Sequence, residues 1–187
     1  MSGELHQKTI LKAFPINRDT LIELFIPFVL GMIAITAHAR FKMHLGIPGH
    51  HGLLFMALLL IARKTSRIKW SSLMFAIGVG SMLYLPFLGF NDPFVLFVYI
   101  WPGILFDLFY VPNPDKQPKI WFNALIGGIA YSTIPFSRYI LGLLTGIMHK
   151  SVFAGLMMPF LSFFAFGLIG TLSGMGVYHL FKKISNK

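Results

Sequence analysis

At 187 residues the chain is 56% hydrophobic and only 12% charged, where soluble domains carry roughly a quarter charged residues. It has 16 Lys/Arg, 6 Asp/Glu, a formal net charge of +10 and no cysteine, so disulfides, thiolate metal sites and cysteine nucleophiles are excluded. The basic residues cluster beside apolar runs, which makes the charge a matter of membrane orientation and headgroup contact rather than of nucleic-acid binding. Residues 70–91, 93–106, 120–137 and 151–181 carry no formal charge. A bilayer core takes about 20 apolar residues per helix, and a helix satisfies its own backbone there. The expected fold is therefore all-α: a polytopic membrane protein of about six transmembrane helices, with residues 1–187 forming one membrane domain.

In chain order, Lys8, Lys12 and Arg18 precede the first apolar run, and the N-terminus does not read as a cleaved signal peptide. The first span is expected over 21–39, with Asp19-Thr20 as its cap. The second covers 47–62, with Pro48 suited to a first helical turn. The third runs over 70–90, up to the turn-like GFNDP, and the fourth over 94–111, ended by PNPDKQP. The fifth runs over 120–147, as one helix or as two divided near Pro135. The sixth occupies 152–180, with a break or kink expected at Pro159.

Placing the N-terminus in the cytoplasm puts Lys8, Lys12, Arg18, Arg63, Lys64, Arg67, Lys69, Lys116, Lys119, Lys182, Lys183 and Lys187 inside. Arg40, Lys42, Arg138 and Lys150 fall on the outer side, and this bias predicts cytoplasmic locations for both termini. Small residues recur at four-residue spacing at Ala76 and Gly80, Ala124 and Gly128, Gly142 and Gly146, and Gly170 and Gly174, which suits close helix packing.

The orientation gathers polar residues at the outer end. AHARFKMHLGIPGHHG holds His38, Arg40, Lys42, His44, His50 and His51 within 14 positions; Asn91, Asp92, His149 and Lys150 lie in other outer connections. Arg138 and Tyr139 fall in the outer half of the fifth span, and a charge at membrane depth ordinarily lines a cavity or finds a partner. Three readings stand open. One is a solute pocket in which Arg40, His44, His50, His51, Asn91, Asp92, Arg138 and Tyr139 bind a small anionic or polar molecule through charge-assisted hydrogen bonds. Another is a metal site using His44, His50 and His51, with a carboxylate from Asp92. In the third, interfacial His and Arg meet only headgroups and water.

Two acids fall within spans. Glu23, in a first helical turn, suits the positive helix end. Asp107 is either a proton- or ion-coupling residue or a structural one, with Asn123, Lys116 or Lys119 as its partner. His38 and His179 lie near opposite faces, which argues against haem ligation. The chain has no GxSxG, no phosphate-binding loop and no paired carboxylates within the spans. It reads as a non-enzyme with no cofactor.

Six helices in fewer than 190 residues, both termini inside and polar residues gathered outside resemble the substrate-binding S components of energy-coupling factor transporters. Within IWPGILFDLF, Pro102, Gly103 and Asp107 are similar to a proline-glycine-acid pattern in transmembrane helices of such proteins. The family's AxxxA docking motif is absent from the first span, where Ala34 is followed four positions on by His38, and Met1-Ser2 differs from the Met-His of the cobalt and nickel branch. The resemblance implies a subunit of the bacterial inner (cell) membrane that holds its solute under the first outer loop. Its partners would be the lipid bilayer, a separate transmembrane subunit and two ATPases, but no nucleic acid. The alternatives are a non-catalytic structural subunit of a larger membrane complex and a His-ligated metal-binding membrane protein.

Overall fold

The computed structural model describes residues 18–40, 47–85, 93–109, 120–146, 155 and 157–185. Regular structure among them is entirely helical: α1 (Arg18–Arg40), α2 (Gly52–Thr65), α3 (Ser71–Leu83), α4 (Val95–Phe109), α5 (Ile120–Thr145) and α6 (Met157–Ser185). By length and composition α1 and α6 could each cross a membrane, while α3 and α4 are shorter apolar helices.

The helix ends differ from the sequence expectation where local chemistry intervenes. Asp19 lies inside the first turn of α1 rather than ahead of it. Pro48 sits in the turn that precedes α2. α3 stops at Leu83, where the Leu85 N–H turns back to the Met82 carbonyl at 3.0 Å. α5 runs unbroken through Pro135 and ends at Gly146, whose φ of +74° carries its N–H to the Gly142 carbonyl at 2.9 Å. Gly146 thus ends a helix rather than packing one on another. Pro159 falls in the first turn of α6, where a missing N–H breaks no bond, so the expected break does not occur there.

The helices close into a ring, with α1 beside α3, then α4, α5, α6 and α2, which returns to α1 and also touches α3 and α5. α2 lies deep in the bundle, with Phe55, Met56, Leu59, Leu60 and Ala62 in a core shared with Phe75, Val79, Val98, Phe106 and Ile134. Glycines bring neighbouring backbones together. A Cβ at Gly31 would strike the Phe75 carbonyl, and one at Gly78 the Phe28 carbonyl, so α1 and α3 touch backbone to backbone. Gly170 meets the carbonyls of Gly52 and Leu53 and Gly174 meets Ala57, which seats α6 on α2 in the same way. Both are parallel pairs.

One end of the bundle is tied by buried charge. Arg63, in the last turn of α2, and Asp107, near the end of α4, are both fully enclosed, with Arg63 Nε 3.2 Å from Asp107 Oδ1. Arg63 Nη1 also donates to the Ile68 carbonyl at 2.6 Å and to Ser71 Oγ at 3.0 Å. The Asp107 carboxylate accepts the Ser72 N–H at 3.2 Å and the Leu73 N–H at 2.8 Å. Those amides open α3, where they have no partner within the helix and the helix dipole favours an anion. α1 joins through Glu23, whose Oε2 accepts the Arg67 N–H at 3.1 Å. Arg63 is therefore not a headgroup-facing cation of the inner loop. The partners of Asp107 are Arg63 and the α3 amides rather than Asn123; Lys116 and Lys119 lie outside the described residues.

Substitutions at these positions have defined outcomes. Removing one ion strands the other, so Asp107→Leu should cost about 3–5 kcal/mol in denaturant unfolding in micelles. Pairing it with Arg63→Met should restore stability to within about 2 kcal/mol of the parent, the remainder being the lost α3 cap. A side chain at position 78 meets unyielding backbone, so Gly78→Val should destabilise by about 1–3 kcal/mol. Gly176 has nothing within 4 Å of an added Cβ, and Gly176→Ala should raise stability by about 0.5–1 kcal/mol in the same assay.

Candidate functional site

The contacts fix the direction of each helix. Glu23, Arg63, Asp107 and the Lys64–Tyr178 contact place the starts of α1 and α3 and the ends of α2, α4 and α6 at one end of the bundle. Among described residues this end carries Arg18, Arg63, Lys64, Arg67, Lys69, Lys182 and Lys183, and the opposite end carries Arg40 and Arg138. Histidines gather at that opposite end. His38 lies in the last turn of α1, and His50 and His51 form the turn that opens α2.

The turn is built by Ile-Pro-Gly-His-His-Gly. Gly49 has φ +86° and accepts the Gly52 N–H at 2.8 Å. A Cβ at Gly49 would also strike the Phe163 ring, and one at Gly52 the Tyr131 ring, so both glycines bring the turn down onto aromatic side chains. His50 Nδ1 lies 2.7 Å from the Ile47 carbonyl. A carbonyl only accepts, so Nδ1 is the protonated nitrogen. Nε2 is then buried without a hydrogen-bond partner among the described residues. The His51 ring stands 3.4 Å from His38 and 3.6 Å from His50, centre to centre. Burial, reinforced by the neighbouring His38 and His50, pushes the pKa of His51 down to about 3.

Beneath the imidazoles lies an aromatic floor. Phe55 contacts Tyr99 at 5.6 Å and Tyr131 at 5.7 Å between ring centres, and Tyr131 stacks on Phe163 at 4.9 Å. His38, His51, Phe55, Tyr99 and Tyr131 help to enclose a cavity of about 20 Å³, room for about one water. Arg138 lies two helical turns beyond Tyr131 on α5.

Of the residues singled out from sequence, His50 and His51 converge here with His38. Arg138 and Tyr139 are half-buried on α5, and Arg40 is exposed at the end of α1. Asp107 belongs to the ion pair at the far end. His44, Asn91 and Asp92, along with Lys42, His149 and Lys150, lie outside the described residues. Among described residues no three His, Asp or Glu side chains are arranged to hold a metal ion. Sequence reasoning missed Phe55, Tyr99, Tyr131 and Phe163; the only hint was a pair of phenols in otherwise charge-free spans. Compared with known protein families, curated proteins and solved structures, the chain finds no match.

His51 is neutral in the fold down to about 3 but titrates near its ordinary 6.5 once unfolded. The unfolded chain therefore binds more protons between those values, and stability falls as pH drops below about 6.5. Thermal unfolding in one detergent above and below that pH should show the decline, and His51→Gln should make it shallower.

Proposed function

We propose that the chain is a membrane-embedded subunit that binds a small anionic or polar solute for uptake, with its site at the histidine end of the bundle. The observation that carries this reading is the convergence of His38, His50 and His51 with Tyr99 and Tyr131 around a cavity at one end of the bundle. Arg138 on the adjoining stretch of α5 supplies a cation for a carboxylate or phosphate. In the described state the cavity has room for only about one water, so solute entry involves separating the imidazole turn from the aromatic floor.

The proposed residence in the membrane, with six spans, draws its support from the outer faces of α1, α4, α5 and α6. Leu21, Phe25 and Ile33 on α1, Trp101 and Phe109 on α4, Trp121 and Leu144 on α5, and Leu161 and Ile184 on α6 are all exposed. So large an apolar surface on one small domain suits lipid better than water. The cation-rich end is the proposed cytoplasmic side, and the start of α1 and the end of α6 lie there together. This layout fits the resemblance to S components of energy-coupling factor transporters, in which separate ATPases would supply the energy. The site is proposed to bind its solute rather than transform it.

A thermal-shift screen of small organic acids and polar solutes tests the site, since a ligand at 100 times its Kd stabilises by about 2.7 kcal/mol. Arg138→Ala should weaken binding of the hit about tenfold or more and lower its uptake into cells. Unchanged binding and uptake would remove Arg138 from the site. A stoichiometric metal or a Soret band in the purified protein would replace the solute reading altogether.

A further inference from the structure

The histidine site leaves unused a groove of about 450 Å³ at the opposite end, between the last turns of α2 and α6. Ile61, Tyr178 and Phe181 form its apolar walls, Lys182 lies on its rim, and among the described residues no carboxylate lines it. Lys64 leans in from α2, with Nζ 5.2 Å from the centre of the Tyr178 ring, and Lys64 and Lys182 are close enough for their charges to repel. Because α2 and α6 run parallel, two helix C-termini meet here, each equivalent to about half a negative charge. Lys64, Lys182 and Lys183 outweigh them, and the groove remains an anion-attracting site. Among the described acids at this end, Asp107 is engaged with Arg63 and the α3 amides and Glu23 with the Arg67 N–H, while Asp19 stands at the start of α1.

The apolar surroundings say which kind of anion fits. Phe181, 67% exposed, continues along α6 into exposed Val177, Leu180 and Ile184, a surface that suits an acyl chain and offers nothing to a fully hydrated ion. Trp70, 40% exposed beside Lys69 at the same end, is the amphipathic type of residue that marks a headgroup plane. We infer that this groove is a binding site for one anionic phospholipid, with the phosphate between Lys64 and Lys182 and an acyl chain along the outer face of α6. The inference rests on the membrane reading above. A basic pocket between helices at the cytoplasmic face recognises such headgroups by charge, and apolar area holds the tail.

The test uses the full chain in phosphatidylcholine vesicles and nanodiscs with and without phosphatidylglycerol. Native mass spectrometry after partial delipidation should find one phosphatidylglycerol retained by the parent and by Lys64→Arg/Lys182→Arg. Lys64→Gln/Lys182→Gln should bind it about tenfold more weakly, and phosphatidylglycerol should raise the melting temperature of the parent alone among the parent and the Gln pair. Equal retention by the parent and the Gln pair overturns the site. Equal stabilisation by inorganic phosphate overturns the lipid as occupant, as does loss of a co-purifying acidic protein from the Gln pair with lipid retention intact. A chain that fails to float with phosphatidylcholine vesicles sinks the membrane reading and this site together; one that floats yet retains no phosphatidylglycerol sinks only the site.

Discussion

A guanidinium and a carboxylate enclosed together within an apolar bundle commit the elements around them to one arrangement. Arg63 and Asp107 come from different helices, and each also satisfies groups that helix termini leave open. Arg63 reaches carbonyls in the connection after α2, and Asp107 takes the first amides of α3. Withdrawing either side chain would leave a charge and several backbone groups without water or a partner, and that cost far exceeds what an exposed ion pair contributes. With Glu23 holding the Arg67 amide, the tie spans α1, α2, α3 and α4. The remaining helices are positioned against that fixed end.

Glycine sets how closely the helices then approach. Where α1 meets α3, and α2 meets α6, the contact runs backbone to backbone because Gly31, Gly78, Gly170 and Gly174 carry no Cβ. Interior packing of this kind does not depend on the expulsion of water between helices, which suits a bundle whose outer surface is itself apolar. The same device shapes the histidine end, where Gly49 and Gly52 lower the turn onto Phe163 and Tyr131. The two ends differ in consequence. One is locked by charge, while the other is held by ring contacts around a small cavity, an arrangement that can part without stranding an ion pair.

That asymmetry suits the proposed division of labour. A solute site needs an end that can open, and a subunit that keeps its shape while doing so needs an end that does not. The exposed face of α6 and the lysines at its last turn extend the locked end outward, toward the surface where the phospholipid is proposed to sit. The single-residue chemistry at each end is ordinary. Its placement at opposite ends of the bundle makes the two ends different.

Much of this was legible in the pattern of charge. Long apolar runs locate α1, α4 and α5 closely, because a helix whose surface is mostly apolar writes itself as a nearly uninterrupted apolar segment, even where α4 carries the single buried acid Asp107. The clustering of His38, His50 and His51 was visible as a dense polar patch in an apolar chain. Other features were not visible, for definite reasons. The end of α3 at Leu83 was hidden because Tyr84 and Leu85 are as apolar as the residues before them. The inward turn of Arg63 was hidden among Lys64, Arg67 and Lys69, since four adjacent basic residues look alike until one of them meets a carboxylate 44 positions away. Tyr99 and Tyr131 became site residues only when α4 and α5 brought them beneath a turn contributed by α2. Local composition specifies which segments are helical and apolar, because those properties reside in consecutive residues. Which polar groups face one another depends on helix order and direction around the ring, and that arises from contacts between residues far apart in the chain.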